Sequence, residues 1–226
     1  MNSNMSLVLE HGHFIILMDG KRVLVDTGSP VSFGNGVMFF DELLSNQSVY
    51  YQFLDIINQN YNKLGLTKKI DALIGLSTLI NHKIIFGLKD GKVFVDTDGW
   101  KDRKCKITTS ITSEGRLVST IKVNGTKVDV IVDTGAWISY VPKAALNGLS
   151  PVGQYSDWNP NVNDFTGATY EASIEFENCI MTVEVGEMND RVDSNLQCKG
   201  KGILSLSDVT YDYIELNLAK GEISFY

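Results

Sequence analysis

The chain is predicted to be mainly β, folded as two β-rich halves with a helical segment inserted in the first. Three observations predict it. Apolar runs on either side of Asp19-Gly20 (Phe14 to Val25), and again on either side of Asn124-Gly125 (Val118 to Val132), read as hairpins. Such dipeptides favour the two-residue turns in which both central residues take positive φ. Each hairpin then runs into nearly the same loop, "V-L-V-D-T-G-S" (Val23 to Ser29) and "V-I-V-D-T-G-A" (Val130 to Ala136). The third observation is a pair of tails, beginning at Leu73 and Ile203, that align at one offset without a gap. Leu88 falls on Leu218 and Gly91 on Gly221. Repetition in this order and register implies one β unit used twice.

Taken in order, the first half is expected over residues 1–98, a linker over 99–106 and the second half over 107–226. The linker stretch "D-T-D-G-W-K-D-R-K-C-K" (Asp96 to Lys106) is polar and turn-rich. Its D-T-D-G does not make a third loop, because Asp98 separates Thr97 from Gly99. Between the first loop and its tail, Met38 to Leu64 is read as one or two amphipathic helices covering the core. Val49, Phe53, Ile56 or Ile57, and Leu64 recur at helical spacing, and Ser48 is a cap candidate. In the second half, Pro142 marks the start of a short helix over "P-K-A-A-L-N-G-L". Alternating strands follow, with Asp164 to Gly167 read as a hairpin tip. Each tail carries a further hairpin, Lys83 to Val95 and Tyr213 to Phe225.

At 226 residues, 43% hydrophobic and 21% charged, the chain is long and apolar enough to bury a core. A net charge of −7 and the lack of a basic cluster argue against nucleic acid or an anionic membrane as partner. No apolar run approaches the ~20 residues of a membrane span. The N-terminus lacks the basic start and apolar core of a secretion signal. Cys105, Cys179 and Cys198 have no metal-type spacing; they are read as reduced structural thiols, with a Cys179–Cys198 bridge as the alternative. A cytoplasmic location is therefore expected. His11-Gly12-His13 has no third metal ligand nearby and is read as strand or turn histidines, and no G-x-S-x-G supports a serine nucleophile.

Two Asp-Thr-Gly loops, each after a β-branched strand and each answered by Leu73-Ile74-Gly75 or Ile203-Leu204-Ser205, resemble those of pepsin-like and retropepsin-like aspartic proteases. In that family each lobe, or each subunit of a dimer, supplies one loop. The resemblance implies a bilobal acid-protease fold and an aspartic endopeptidase. It would be active as a monomer on an extended peptide, without metal, cofactor or covalent intermediate. Asp26 and Asp133 are the implied catalytic pair. Carboxyls about 3 Å apart cannot both ionise, so one is a general base for water and the other polarises the substrate carbonyl. Sequence does not tell which holds the proton.

The same resemblance assigns the neighbours. Thr27 and Thr134 lock the two loops together, and Gly28 and Gly135 bring backbone N–H groups to the carboxylates. Ser29 is expected to hydrogen-bond the outer oxygen of Asp26, which Ala136 cannot do for Asp133, so activity is expected to reach about pH 5 to 7. Serine at position 205 departs from the family's glycine. The first half spends its flap segment on helices, so the flap candidate is the second-half hairpin at Asp164, Phe165, Thr166 and Gly167, with Tyr170 or Trp158 as lid aromatic. A plain core hairpin is the alternative. Trp137 and Tyr140 either line the substrate pocket or pack between the halves. With so short a run before Asp26, no blocking pro-segment is expected. Pro30, Ser205 and the missing first-half flap keep open a second reading, a catalytically inactive peptide-binding module.

Overall fold

A computed structural model of the protein describes residues 5–45, 51–97, 102–199 and 201–226. The first half opens with three antiparallel strands, Ser6–Glu10, His13–Met18 and Lys21–Val25. The turn between the second and third is the expected one, with Asp19 at φ 48° and Gly20 at φ 73°. Asn124 and Gly125 repeat it at 49° and 79°, between Leu117–Val123 and Thr126–Asp133. Those angles are costly for most side chains and cheap for Asn, Asp and Gly, which is why the dipeptides were legible.

Each hairpin's second strand gains a parallel neighbour from far along the chain. Lys21–Val25 lies beside Ala72–Ile74, and Thr126–Asp133 beside Gly202–Ser205. The two loop-bearing strands are thus flanked on both edges, and their Val23, Val25, Val130 and Val132 are completely buried. They belong to different sheets, one of ten strands and one of eight. The tails join the halves. Lys83–Gly87 pairs antiparallel with Tyr213–Asn217, centred on Ile85 opposite Glu215. The offset that matches Leu88 to Leu218 also matches Ile85 to Glu215, so this joint pairs equivalent strands about their own midpoint.

One helix, Tyr51–Gln59, lies in the stretch read as helical. Its Leu54 and Ile57 pack with Leu24, Phe33 and Leu73, so the helix covers the core over the first loop's strand. Ile56 faces outward, which decides the register for Ile57. Ser48 and Val49 lie outside the described residues, as does the Asp98-Gly99 pair. The start of the stretch is not helix: Val37–Phe39 and Glu42–Leu44 form a small hairpin. Phe39 and Leu44 are buried while Met38 and Leu43 are about half exposed, an alternation that suits strands and not a helix face. In the second half, Lys143–Leu146 is a single 3₁₀ turn after Pro142.

The expectation of three reduced thiols is corrected. Cys105 and Cys179 are disulfide-bonded, and Cys198 is the buried free thiol. Cys105 opens a strand, Cys105–Thr108, that pairs with the terminal Glu222–Phe225, within reach of the start of Cys179–Glu187. Connectivity of this kind depends on long-range topology and not on spacing. The bridge also removes the cysteine argument for a reducing compartment. Among the described residues no helix is long and apolar enough to cross a membrane.

Candidate active site

Both loops arrive at one place. Thr27 and Thr134 are fully buried and interlock reciprocally. Each backbone N–H donates to the other threonine's Oγ1 at 3.0 Å. Each hydroxyl donates at 2.8 Å to a carbonyl of the opposite strand, Val132 for Thr27 and Val25 for Thr134. All four groups are satisfied within the protein, which ties the two loops to each other.

That interlock brings Asp26 and Asp133 into mutual hydrogen bonding, each carboxyl enclosed by the loops and partly exposed to the space above them. The glycines are required by closeness: a Cβ on Gly28 would lie 2.4 Å from Asp133 Oδ2, and one on Gly135 2.8 Å from Asp26 Cγ. Burial raises the pKa of both acids, Asp26 the more strongly because the Asp133 charge adds to it. Asp133 is held back by more donors. Gly135 N–H donates to its Oδ1 at 2.7 Å, Asp26 and the Gly28 N–H also bond it, and the Arg116 guanidinium lies near. Two acids this close share one proton, which belongs to the pair.

The expected role of Ser29 is corrected. Its backbone N–H, not its hydroxyl, bonds Asp26 Oδ1, at 3.0 Å. The hydroxyl donates to Val31 O at 2.8 Å, closing the turn around Pro30. Ser29 and Ala136 therefore do not differ through that hydroxyl as expected. The departure at Ser205 is also explained. Its hydroxyl donates to Ala136 O at 2.6 Å, tying the strand to the second loop.

The acid pair opens into a cleft of about 280 Å³ lined from both halves. Phe53, Ile57 and Leu64 form one wall, Val192 and Leu196 another, and the hairpin of Gly153–Asn159 and Asn163–Phe176 overhangs them. The hairpin tip is not where the sequence placed it. Asn159 pairs with Asn163, so Pro160, Asn161 and Val162 make the turn. Asp164, Phe165, Thr166 and Gly167 lie within the returning strand. Gly167 is there because the Tyr155 ring covers it; a Cβ would meet that ring at 2.5 Å. Trp158 and Phe165 line the cleft, whereas Tyr170 bonds Glu187 at 3.1 Å and Trp137 stacks on His11, neither reaching it. Tyr140 does line it, and donates its hydroxyl to Asp157 at 2.5 Å near the tip of the hairpin. Asp164 reaches across to Lys63 of the first half at 2.7 Å.

Two residues at the site gave no local signal. Arg116 follows a turn whose Gly115 sits against Pro30, and it donates to Gly28 O at 2.8 Å and to Leu196 O at 3.2 Å. His13, read as a strand histidine, does open a strand, and its ring lines the cleft. Among the described residues no cluster of three or more His, Cys, Asp or Glu has the arrangement to hold a metal ion.

No family model matches the chain, and no curated protein matches it by sequence. Solved structures do resemble it. Basic 7S globulin from soybean matches over 99% of this chain and 95% of its own, at 10% identity and a TM-score of 0.50. A retropepsin-like aspartic protease from Rickettsia conorii matches over 57% of this chain and 97% of its own, at 15% identity and a TM-score of 0.39. The Simian Foamy Virus (mac) protease matches over 41% and 90%, at 22% identity and a TM-score of 0.29. At these identities the likeness concerns fold alone, and the globulin match extends it to the whole chain.

Proposed function

We propose that the protein is an aspartic endopeptidase of two lobes, each carrying one Asp-Thr-Gly loop, and that it works as a monomer. One observation carries the reading: two partly buried carboxyls from distant parts of one chain share a hydrogen bond at the floor of a cleft. Buried acids are expensive unless they share a proton, and a fold keeps them where a reaction uses them. In this reading the ionised member of the pair takes a proton from a water between the carboxyls as that water attacks the peptide carbonyl. The protonated member donates to the carbonyl oxygen, giving a gem-diol, and return of a proton to the amide nitrogen releases the amine. The substrate lies extended beneath the Trp158–Phe165 hairpin, which acts as the flap and limits water.

A non-catalytic peptide-binding module of the same fold is the second reading. It is favoured by the overhang from one side only. Cleavage of a mixed peptide library decides between them. Wild type is expected to cut at mildly acidic pH, and Asp26→Asn and Asp133→Asn each to lose about 10³-fold or more. The raised pKa of the pair extends activity toward neutral pH, since the alkaline limb reports loss of the shared proton. Binding without cleavage by all three proteins would establish the module instead.

A further inference from the structure

The hairpin over the acid pair is held in two unlike ways. On its own half it is tied through backbone carbonyls. Arg191, in the short helix Asp190–Asn195, donates to Val162 O at 2.6 Å and to Asp164 O at 3.4 Å. The Asn189 carboxamide donates to Thr166 O at 3.1 Å. The same helix gives Val192 to the cleft wall, so the roof and the wall of the second half are bonded to each other. Toward the first half the tie is a side-chain ion pair. Lys63 Nζ lies 2.7 and 3.0 Å from the two carboxylate oxygens of Asp164. Among the described residues it is the one ion pair from the hairpin to the first half.

The pair sits on the outer side of the cleft rim. Leu64 and Phe165, the next residue in each segment, line the cleft, while the side chains of Lys63 and Asp164 are 42% and 66% exposed. Lys63 is presented from a tight turn, its N–H donating to Asn60 O at 2.9 Å and the Gly65 N–H to Asn62 O at 3.1 Å. Wall, ion pair and roof thus form an arch across the cleft. A chain with a free end threads beneath a closed arch. A loop whose two ends are fixed in a folded body does not, and enters only after the arch parts. It parts at the ion pair: an exposed pair costs little to separate, whereas three bonds to backbone carbonyls hold the other side.

We propose that Lys63 and Asp164 are a latch that determines which substrates enter: the closed pair favours flexible polypeptide with an end free to thread, over the same sequence held in a loop of a folded protein. The inference rests on the cleft being a peptide site, whether or not the peptide is cut. The latch biases entry and does not bar it. An exposed pair is worth little and is screened by salt, so removing it favours the loop substrate by about 2- to 5-fold.

The test uses one sequence that wild type takes from a mixed peptide library, offered as a linear peptide and as a loop of a folded carrier protein. The ratio of kcat/KM for loop over peptide is measured for wild type, Lys63→Met, Asp164→Asn and the swapped pair Lys63→Asp/Asp164→Lys. Each single variant is expected to raise the ratio about 2- to 5-fold, and the swap to return it toward wild type. Raising salt from about 0.05 M to about 0.5 M is expected to raise the ratio for wild type by a similar factor and to leave the single variants flat. An unchanged ratio in the single variants overturns the proposal, and so does a salt response of equal size in all four proteins. If nothing is cut, the protease reading fails. The sequence is then chosen from peptides captured on the immobilised protein, and the same ratio, taken from association rate constants, decides the latch by the same criteria.

Discussion

Behind the Asp26 loop, Ser32 accepts from the Gly75 N–H at 2.9 Å and from the Thr78 hydroxyl at 2.7 Å. Behind the Asp133 loop, Ser139 occupies the equivalent place, accepts from the Ser205 N–H at 3.0 Å, and donates to Asp208 at 2.6 Å. The repeat therefore reaches past the Asp-Thr-Gly into the scaffold beneath it, with two changes. Gly75 has become Ser205, and Thr78 has become Asp208. The first half supports its loop with hydroxyls that do not titrate in the accessible range. The second buries a carboxyl whose pKa is pushed up to about 6, because burial outweighs the two hydrogen bonds from Ser139. One backbone geometry is held by two chemistries, and only one of them responds to pH.

Exchanging the first pair of residues gives the largest expected effect. A Cβ on Gly75 would lie 2.4 Å from Val31 O and 2.5 Å from Ser29 O, both backbone atoms. Gly75→Ser is expected to cost about 3 kcal/mol or more in denaturant unfolding. Ser205→Gly loses a hydrogen bond and some rigidity, for about 1–2 kcal/mol. Equal costs would show that the halves tolerate the swap alike and would erase the distinction between them.

Asp208→Asn tests the second difference. Its folded pKa lies above the ordinary 3.8, so its contribution to stability is complete below that pH and is lost as pH rises through about 6. Asparagine keeps an acceptor for both Ser139 donors. The variant is expected to match wild type near pH 4 and to exceed it near pH 7 by up to about 2–3 kcal/mol. A difference in melting temperature that stays flat with pH would refute this. The smallest effect is expected from Arg116→Met. Removing that cation raises the pKa of Asp133, so the acid limb of the pH–rate profile moves upward by about 0.5–1 unit. An acid limb that stays in place would show that Arg116 does not act on the pair.

The hairpins, both loops and both tails were legible because their signals are local: turn dipeptides, β-branched runs and a repeat that checks itself. The acid pair was legible because the same loop recurs at the same place in each copy of the repeat. The misses share a cause. Gly167 reads in sequence as a turn glycine, but it is small because Tyr155 lies over it. The turn itself is made by Pro160, Asn161 and Val162, closing at Asn163 with φ 64°. Residues 38–44 read as part of a helical stretch because their strand alternation is short. The Cys105–Cys179 bridge, Arg116 on Gly28 and the position of His13 depend on which distant segments meet, which no local pattern encodes.

The seam between the halves is centred on Ile85 facing Glu215, the same position in each copy of the repeat. A surface that recognises its own counterpart needs no redesign whether the two copies travel separately or on one thread. The covalent connection thus keeps two matching strand edges permanently at hand for each other, while each copy carries its own changes elsewhere, Gly75 against Ser205 and Thr78 against Asp208.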